Sequence, residues 1–188
     1  AKRGVCAVIV AYEPNYAHII ELLVECLAQC EGVVLVNNGN PIALPSFTHS
    51  HVKHIQSRGN IGLAAAQNLG VAWAAAHEYP YVWFIDQDSW PAAGLVQTLR
   101  LAFDELESTR ASPAAVGPCL VDHRDGVATP FVRFTFGGVA RYHPSAHAAT
   151  IPCDFLIASG MLTSVARFHE IGPWEEALFI DNVDLEWS

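Results

Sequence analysis

Residues 82–89 read VWFIDQDS, an apolar run that ends in two acids separated by one residue. The run from Val82 to Ile85 is typical of a strand that is buried on both faces of a parallel sheet. Asp86 and Asp88 follow at the point where that strand ends. Two neighbouring carboxylates repel each other, and desolvation protonates one of them unless a cation or hydrogen-bond donors intervene. This stretch therefore predicts a central strand with a chemical site at its carboxyl end.

The segments around this strand predict an α/β domain with a mostly parallel sheet flanked by helices. The predicted strands span 5–12, 32–40, 51–57 and 81–86, and the predicted helices span 15–30, 59–78 and about 91–107. Asn60 is expected to cap the second helix, and Pro91 is expected to lie in the first turn of the third. The alternation of strands and helices is the βαβ pattern of a parallel-sheet, Rossmann-like domain.

The pattern becomes irregular in the second part of the chain. Its predicted elements are a strand at 114–122, an irregular hairpin at 126–142 and a strand, turn and short helix over 153–172. We expect one domain over 1–188, with a nucleotide-binding half at about 1–110 and an acceptor-side half at about 111–188. The sequence stops inside the acidic segment LFIDNVDLEWS, so we expect this domain to be truncated at its C-terminus.

Composition limits the classes of function. The 188 residues include 19 acids and 10 bases, and the resulting formal charge of −9 argues against a nucleic-acid partner. The five cysteines form no CxxC pair and favour a reducing compartment, and Cys26 and Cys30 are interpreted as apolar helix residues. No apolar stretch reaches the roughly 18 residues of a membrane span. We expect a cytoplasmic protein, with peripheral membrane association through regions outside this sequence.

Polar residues follow three of the predicted strands. Tyr12 and Glu13 follow the first, Asn37 and Asn38 follow the second, and Asp86-Gln87-Asp88 follow the fourth. In parallel sheets ligands bind beyond the carboxyl ends of the strands. Oxygen ligands suit Mg²⁺ or Mn²⁺, so this edge is expected to handle a metal-bound phosphate. The alternative for Asp88 is that it caps the helix that follows.

Six segments occur in order along the chain: VIVAYEP, VNNGN, RGNIGLAAAQNLGVAWA, YVWFIDQDS, DFLIASGMLTS and IGPWEEALFIDNVDLEW. This set resembles the family-2, inverting glycosyltransferases of GT-A fold, and within them the bacterial rhamnosyltransferases of polysaccharide assembly. The resemblance covers nearly the whole chain. It implies transfer of rhamnose from the nucleotide-sugar donor dTDP-rhamnose to a polysaccharide or lipid-linked glycan acceptor, with Mg²⁺ or Mn²⁺ as cofactor.

The resemblance also implies which residues form the site. Those expected to bind the nucleotide-sugar are Ala11, Tyr12, Glu13, Asn37, Asn38, Arg58, Asn60, Gly62, Asn68, Asp86 and Gln87. Asp86 and Asp88 are expected to hold the metal. The family usually has an Asp-Asn pair after the second strand, whereas this chain has two asparagines, so Asn37 would contact a pyrimidine imide without charge.

An inverting transfer needs a general base that takes the proton of the acceptor hydroxyl. Relatives place this base in an acidic cluster that corresponds here to Asp181, Asp184 and Glu186. A strict overlay on the common Glu-Asp-x-Asp pattern puts Asn182 at the catalytic position, but the rhamnosyl-like pattern puts an acid at Asp181. Asp181 is therefore the expected base and Asp184 the second candidate. The alternative is a solvated acidic face.

Two other functions remain open at this stage. A nucleotidyltransferase also uses paired acids and Mg²⁺, but it ordinarily has a Gly-rich, basic loop near the first strand, and AYEPNY supplies neither. An inactive nucleotide-sugar-binding fragment is the other alternative.

Among the aromatic residues, Trp73 and Trp83 are expected in the core, while Trp174 and Trp187 are expected to contact a sugar face. Ser159 lacks the surroundings of a hydrolase nucleophile.

Overall fold

The computed structural model describes residues 4–42, 52–109, 111–122, 124–143, 150–180 and 182–187. The strands are β1 (Val5–Ala11), β2 (Gly32–Asn37), β3 (Val52–Gln56), β4 (Tyr81–Asp86), β5 (Phe131–Thr135), β6 (Gly138–Tyr142) and β7 (Leu162–Ser164). The helices are α1 (Tyr16–Gln29), α2 (Leu63–Ala76), α3 (Leu95–Ser108), α4 (Val165–Ile171) and α5 (Val183–Trp187), with a 3₁₀ turn at Glu176–Leu178. None of the helices in these ranges is long and apolar enough to cross a membrane.

The main sheet has five strands in the order β3-β2-β1-β4-β7. The first four are parallel, and β7 pairs with β4 in the antiparallel direction. The predicted α/β fold, with a mostly parallel sheet flanked by helices, is thus confirmed. Residues along β1, β2 and β4 are nearly all buried because helices cover both faces of these strands.

Each face of the sheet has its own apolar core. Helices α1 and α3 pack on one face through residues such as Leu23 and Phe103, and Trp83 points into the same cluster. Helices α2 and α4 pack on the other face together with the C-terminal segment. On this second face Gly70 lets α2 approach β1 closely, since a Cβ at this position would collide with the side chain of Val8.

Three predicted elements are corrected by the structure. The predicted strand at 114–122 forms only isolated bridges, at Val116 and Val121, because Pro118 between them has no N–H for a ladder. The helix expected from Pro91 begins at Leu95, after Gly94 in a left-handed conformation. The 153–172 segment is predicted to run from strand to turn to short helix. Its turn instead comes first, and the strand that follows is the three-residue β7.

The cap predicted for the second helix is also different. Gly62, and not Asn60, precedes the first residue of α2 and has a φ of 89°. The side chain of Asn60 instead accepts a hydrogen bond from the backbone N–H of Gly62, at 3.0 Å. The division of the chain near residue 110 into two functional halves stays a prediction.

Candidate active site

The carboxyl ends of the four parallel strands form one row. Ala11 of β1 pairs with Asn37 of β2, Asn37 pairs with Gln56 of β3, and Asp86 of β4 pairs with Val10. The chain order reverses between β1 and β4, because β2 and β3 lie on one side of β1 and β4 lies on the other. Ligands of open α/β sheets bind at such a switch point. The polar turns predicted from the sequence therefore meet at one edge.

Gln87 joins the two strands at this switch point. Its side-chain Oε1 accepts a hydrogen bond from the backbone N–H of Tyr12 at 2.8 Å, and its Nε2 donates to the Tyr12 carbonyl at 3.1 Å. The ring of Tyr12 remains 46% exposed and lies beside Gly39, where an added Cβ would be 3.2 Å from the ring. Gln87 thus fixes the turn that presents the Tyr12 ring at the edge, next to the exposed Glu13. A direct nucleotide contact from Gln87 stays a prediction.

Asn37 and Asn38 are buried and stabilise the turns at this edge. Asn37 donates from Nδ2 to the side chain of Gln56 at 2.7 Å, and its Oδ1 has no hydrogen-bond partner among the described residues. Asn38 accepts from the N–H of Ile61 at 2.9 Å and donates to the side chain of Asn60 at 3.1 Å. A base contact from the Asn37 side chain would require the turn after β2 to open, and it stays a prediction.

Gly62 and Asn68 contact the C-terminal segment. The carbonyl of Phe179 accepts the N–H of Leu63, the first residue of α2, at 2.7 Å. Asn68 bonds both backbone groups of Trp174, donating to its carbonyl and accepting from its N–H, each at 3.0 Å. These contacts give Gly62 and Asn68 a structural role, and their predicted part in nucleotide binding is untested. Arg58 is exposed and forms no ion pair with any described residue.

Asp86 lies at the centre of a group of acids at the end of β4. Asp86 is an exposed residue, but protein atoms crowd its carboxyl group. The resulting desolvation is the main cause that raises the pKa of Asp86, followed by the charge of Asp88. A hydrogen bond from Ser159 acts in the opposite direction, and the charge of Asp184 raises the pKa further. Asp88 and Asp184 are therefore both close enough to influence Asp86, although Asp184 is distant in sequence.

Asp184 reaches this group from α5. Its Oδ2 accepts the backbone N–H of Ala158 at 3.0 Å, and burial raises the pKa of Asp184 although this bond lowers it. Asp181, the favoured base, lies outside the described residues, so its placement stays a prediction. Glu186, the third acid of the predicted cluster, is exposed.

Ser159 connects the two acids and was missed as a site residue. Its Oγ accepts the backbone N–H of Asp86 at 3.2 Å and lies 3.0 Å from the Oγ of Ser89. The preceding residue, Ala158, binds Asp184. The turn therefore holds Asp86 and Asp184 in a fixed relation. Ser159 lies within the segment DFLIASGMLTS of the family resemblance. The sequence alone does not place it beside Asp86, because that position depends on the antiparallel pairing of β7 with β4.

The two carboxylates of Asp86 and Asp88 fit a divalent ion that takes most of its ligands from water and substrate phosphates. No group of three or more His, Cys, Asp or Glu within the described ranges could hold a metal ion by itself. Asp86 and Asp88 offer two carboxylates. Desolvation and then the neighbouring negative charge raise the pKa of Asp86, and a cation would offset that charge. Mg²⁺ commonly binds through one or two carboxylates with water and substrate phosphates. Asp88 does not cap α3, which begins at Leu95.

The expectation that Trp174 and Trp187 contact a sugar face is wrong. Both rings are buried, with centroids 4.9 Å apart, and both pack on Phe168. Their large apolar area serves to attach the C-terminal segment to the sheet. Trp83 is buried as predicted, and Trp73 is half-buried against His77.

Comparison with known proteins agrees with this geometry. Residues 6–157 match the family model described as Glycosyl transferase family 2. The chain belongs to glycosyl transferase family 2. This family-2 chain is 28% identical over 189 residues to the dTDP-rhamnosyl transferase RfbF of Shigella flexneri. The aligned region covers 99% of this chain and 62% of RfbF. The predicted resemblance to the rhamnosyltransferases of this family is confirmed at that level.

The fold of the family-2 chain also has a counterpart among solved structures. The crystal structure of S. aureus TarS 1-349 aligns with a TM-score of 0.55 at 17% identity, over 97% of this chain and 53% of TarS. At this identity the match supports the fold alone. The chain spans less than two thirds of the length of either relative.

Proposed function

We propose that this chain contains the donor site and catalytic acids of an inverting glycosyltransferase that transfers rhamnose from dTDP-rhamnose. The acceptor would be a polysaccharide or lipid-linked glycan at the cytoplasmic face of a membrane. The observation that carries the proposal is the meeting of Asp86, Asp88 and Asp184 at the switch point of a family-2 sheet. The name of the relative RfbF supports the choice of donor.

On the donor side, exposed groups follow other parallel strands of the same sheet. The Tyr12 ring offers an aromatic face for stacking of the base. Arg58 offers a guanidinium to the diphosphate, since no described acid neutralises it. Asp86 and Asp88 would hold Mg²⁺ or Mn²⁺, which when bound offsets charge on the departing diphosphate.

On the acceptor side, Asp184 is suited to accept a proton. Burial raises its pKa, which makes the ionised carboxylate a stronger base than an exposed one. The N–H of Ala158 fixes the orientation of this carboxylate relative to Asp86. Asp181 remains the base that the family resemblance favours, and comparison of Asp181→Asn with Asp184→Asn in a transfer assay separates the two roles.

Nucleotide binding tests the donor site directly. We expect calorimetric titration to show binding of dTDP that depends on Mn²⁺ and is tighter than that of UDP or GDP. Asp88→Ala should weaken this binding by about tenfold or more, which corresponds to about 1.4 kcal/mol. Glu21→Ala, at an exposed acid on α1, is the matched control and should leave the affinity unchanged.

Three results would count against the proposal. Equal affinity for dTDP with and without Mn²⁺ would contradict the assignment of Asp86 and Asp88 as metal ligands. Absence of binding by all three nucleotides would contradict a donor site in this chain. Release of pyrophosphate from a nucleoside triphosphate and a sugar phosphate would favour a nucleotidyltransferase instead.

A further inference from the structure

The hairpin β5–β6 presents an apolar surface to solvent. Phe134, Val139 and Tyr142 are exposed, and Phe136 in its turn is fully exposed, at 112% of the reference area. Phe134 pairs with Val139 across the two strands, so their side chains lie on the same face of the hairpin. Tyr142 pairs with Phe131 and lies on the opposite face. Exposed apolar side chains on both faces and in the turn of one hairpin are typical of an interaction surface.

The charge of this hairpin differs from that of the rest of the chain. The segment 129–143 reads TPFVRFTFGGVARYH and contains Arg133 and Arg141 but no acid, whereas the whole chain has a formal charge of −9. Arg141 pairs with Val132, on the same face as Phe134, whereas Arg133 pairs with Ala140 and lies on the opposite face. The nearest acid in the described contacts, Asp154, accepts the backbone N–H of Phe134 at 2.8 Å and lies along the strand edge.

The hairpin is connected to the acid cluster by a short piece of chain. Val132 forms a bridge with Phe155, and the N–H of Asp154 donates to the Val132 carbonyl at 2.9 Å. From Phe155 the chain runs to Ala158, whose N–H binds Asp184. Three residues span at most about 10 Å, so the hairpin lies on the same side of the molecule as this acid.

We propose that the hairpin β5–β6 docks on an anionic lipid bilayer through its turn, with Phe134 and Phe136 in the interfacial layer and with Arg133 and Arg141, on opposite faces of the hairpin, against lipid phosphates. Aromatic side chains favour the bilayer interface, and each Arg near an anionic surface adds attraction. A second copy of the chain is a poorer occupant, because two such hairpins would bring four arginines together. Presentation of a lipid-linked acceptor to the acid cluster would follow, and that consequence rests on the proposed function.

Vesicle co-sedimentation of the chain tests the docking without any activity assay. We expect the chain to bind vesicles of phosphatidylcholine mixed with phosphatidylglycerol, and to bind pure phosphatidylcholine vesicles weakly. Phe136→Ser should lower the partition coefficient about tenfold, and Arg133→Gln with Arg141→Gln should lower it and remove most of its salt dependence. Leu101→Ser is the matched control, because Leu101 is 61% exposed on α3 and should not contribute.

Several outcomes would overturn the docking proposal. The chain could fail to sediment with either kind of vesicle, or it could bind both kinds equally. The partition coefficient could also fall as much in the Leu101→Ser control as in Phe136→Ser. A concentration-dependent dimer that Phe136→Ser abolishes, measured by light scattering without lipid, would assign the surface to a second copy. Since none of these readouts uses a nucleotide, failure of the docking and failure of the donor site are distinguishable.

Discussion

At the scale of single residues, Asp86 lies where its ionised form is disfavoured. Desolvation and the charges of Asp88 and Asp184 raise its pKa although the residue is exposed, so the ionised carboxylate is less favourable in the folded chain than in the unfolded one. The folded state therefore binds more protons in this range, and the contribution of Asp86 to stability falls as the pH rises through its folded pKa. A group that exists only for stability would not be arranged in this way.

We expect Asp86→Asn to raise the melting temperature in EDTA at neutral pH by about 1 °C or less, because the penalty of the charge is removed but solvent already screens it at this exposed residue. The difference from the unmodified chain should shrink as the pH is lowered through the folded pKa of Asp86, where the carboxyl group becomes neutral. Thermal unfolding followed by circular dichroism measures this, with Glu21→Gln as the exposed control. A lower melting temperature for Asp86→Asn at neutral pH would mean that the Ser159 contact outweighs the charge penalty.

At the scale of elements, helix α2 depends on a carbonyl that is remote in sequence. The Phe179 carbonyl accepts from Leu63, and Gly62 makes room for it, since an added Cβ would lie 2.7 Å from the Phe179 ring. Phe179 itself has a φ of 62°, which is rare for a residue with a side chain. The N-terminus of α2 and the C-terminal segment therefore stabilise each other.

We expect Gly62→Ala to lower the free energy of unfolding by about 2–4 kcal/mol, because it combines a positive φ with a collision. Gly59→Ala is the matched control in the same loop, where φ is also positive but no atom lies within 4 Å of the added Cβ. The control should cost about 1 kcal/mol through backbone strain alone. Urea unfolding measures both, and equal costs would show that the contact with Phe179 contributes nothing.

The elements also show which features local sequence can predict. The runs of β1 and β4 are apolar along their length, so their burial and the site at their ends follow from pattern and topology. The three residues of β7 are too few for such a pattern, and the position of Ser159 depends on their pairing. The burial of Trp174 is equally non-local, because it requires α4 to pack beside it.

At the scale of the whole molecule, the apolar core between α1, α3 and one face of the sheet protects Cys26 and Cys30. Burial is the main cause that raises the pKa of Cys26 to about 12 and the pKa of Cys30 well above its ordinary value. We expect iodoacetamide at mildly alkaline pH to label the exposed Cys119 but not these two, since the thiolate is the reacting form. A pKa rise from 9.0 to about 12 reduces the thiolate of Cys26 about a thousandfold.

Mass spectrometry of the peptides measures this labelling in the folded chain. Labelling in urea is the control and should modify all three thiols at similar rates. Rapid labelling of Cys26 in the native chain would instead mean that the face covered by α1 and α3 opens readily, and it would weaken the interpretation of Cys26 and Cys30 as core residues.

The contact between Asn68 and Trp174 has a consequence for how the chain folds during its synthesis. The two residues are 106 positions apart, so at about 10 residues per second the ribosome releases Trp174 roughly ten seconds after Asn68. Until then α2 lacks its partner Trp174, and β4 is an open edge of the sheet until β7 emerges. Open edges pair with other chains. A nascent chain is thus most exposed to misassembly in the interval just before Asp86 and Asp184 come together.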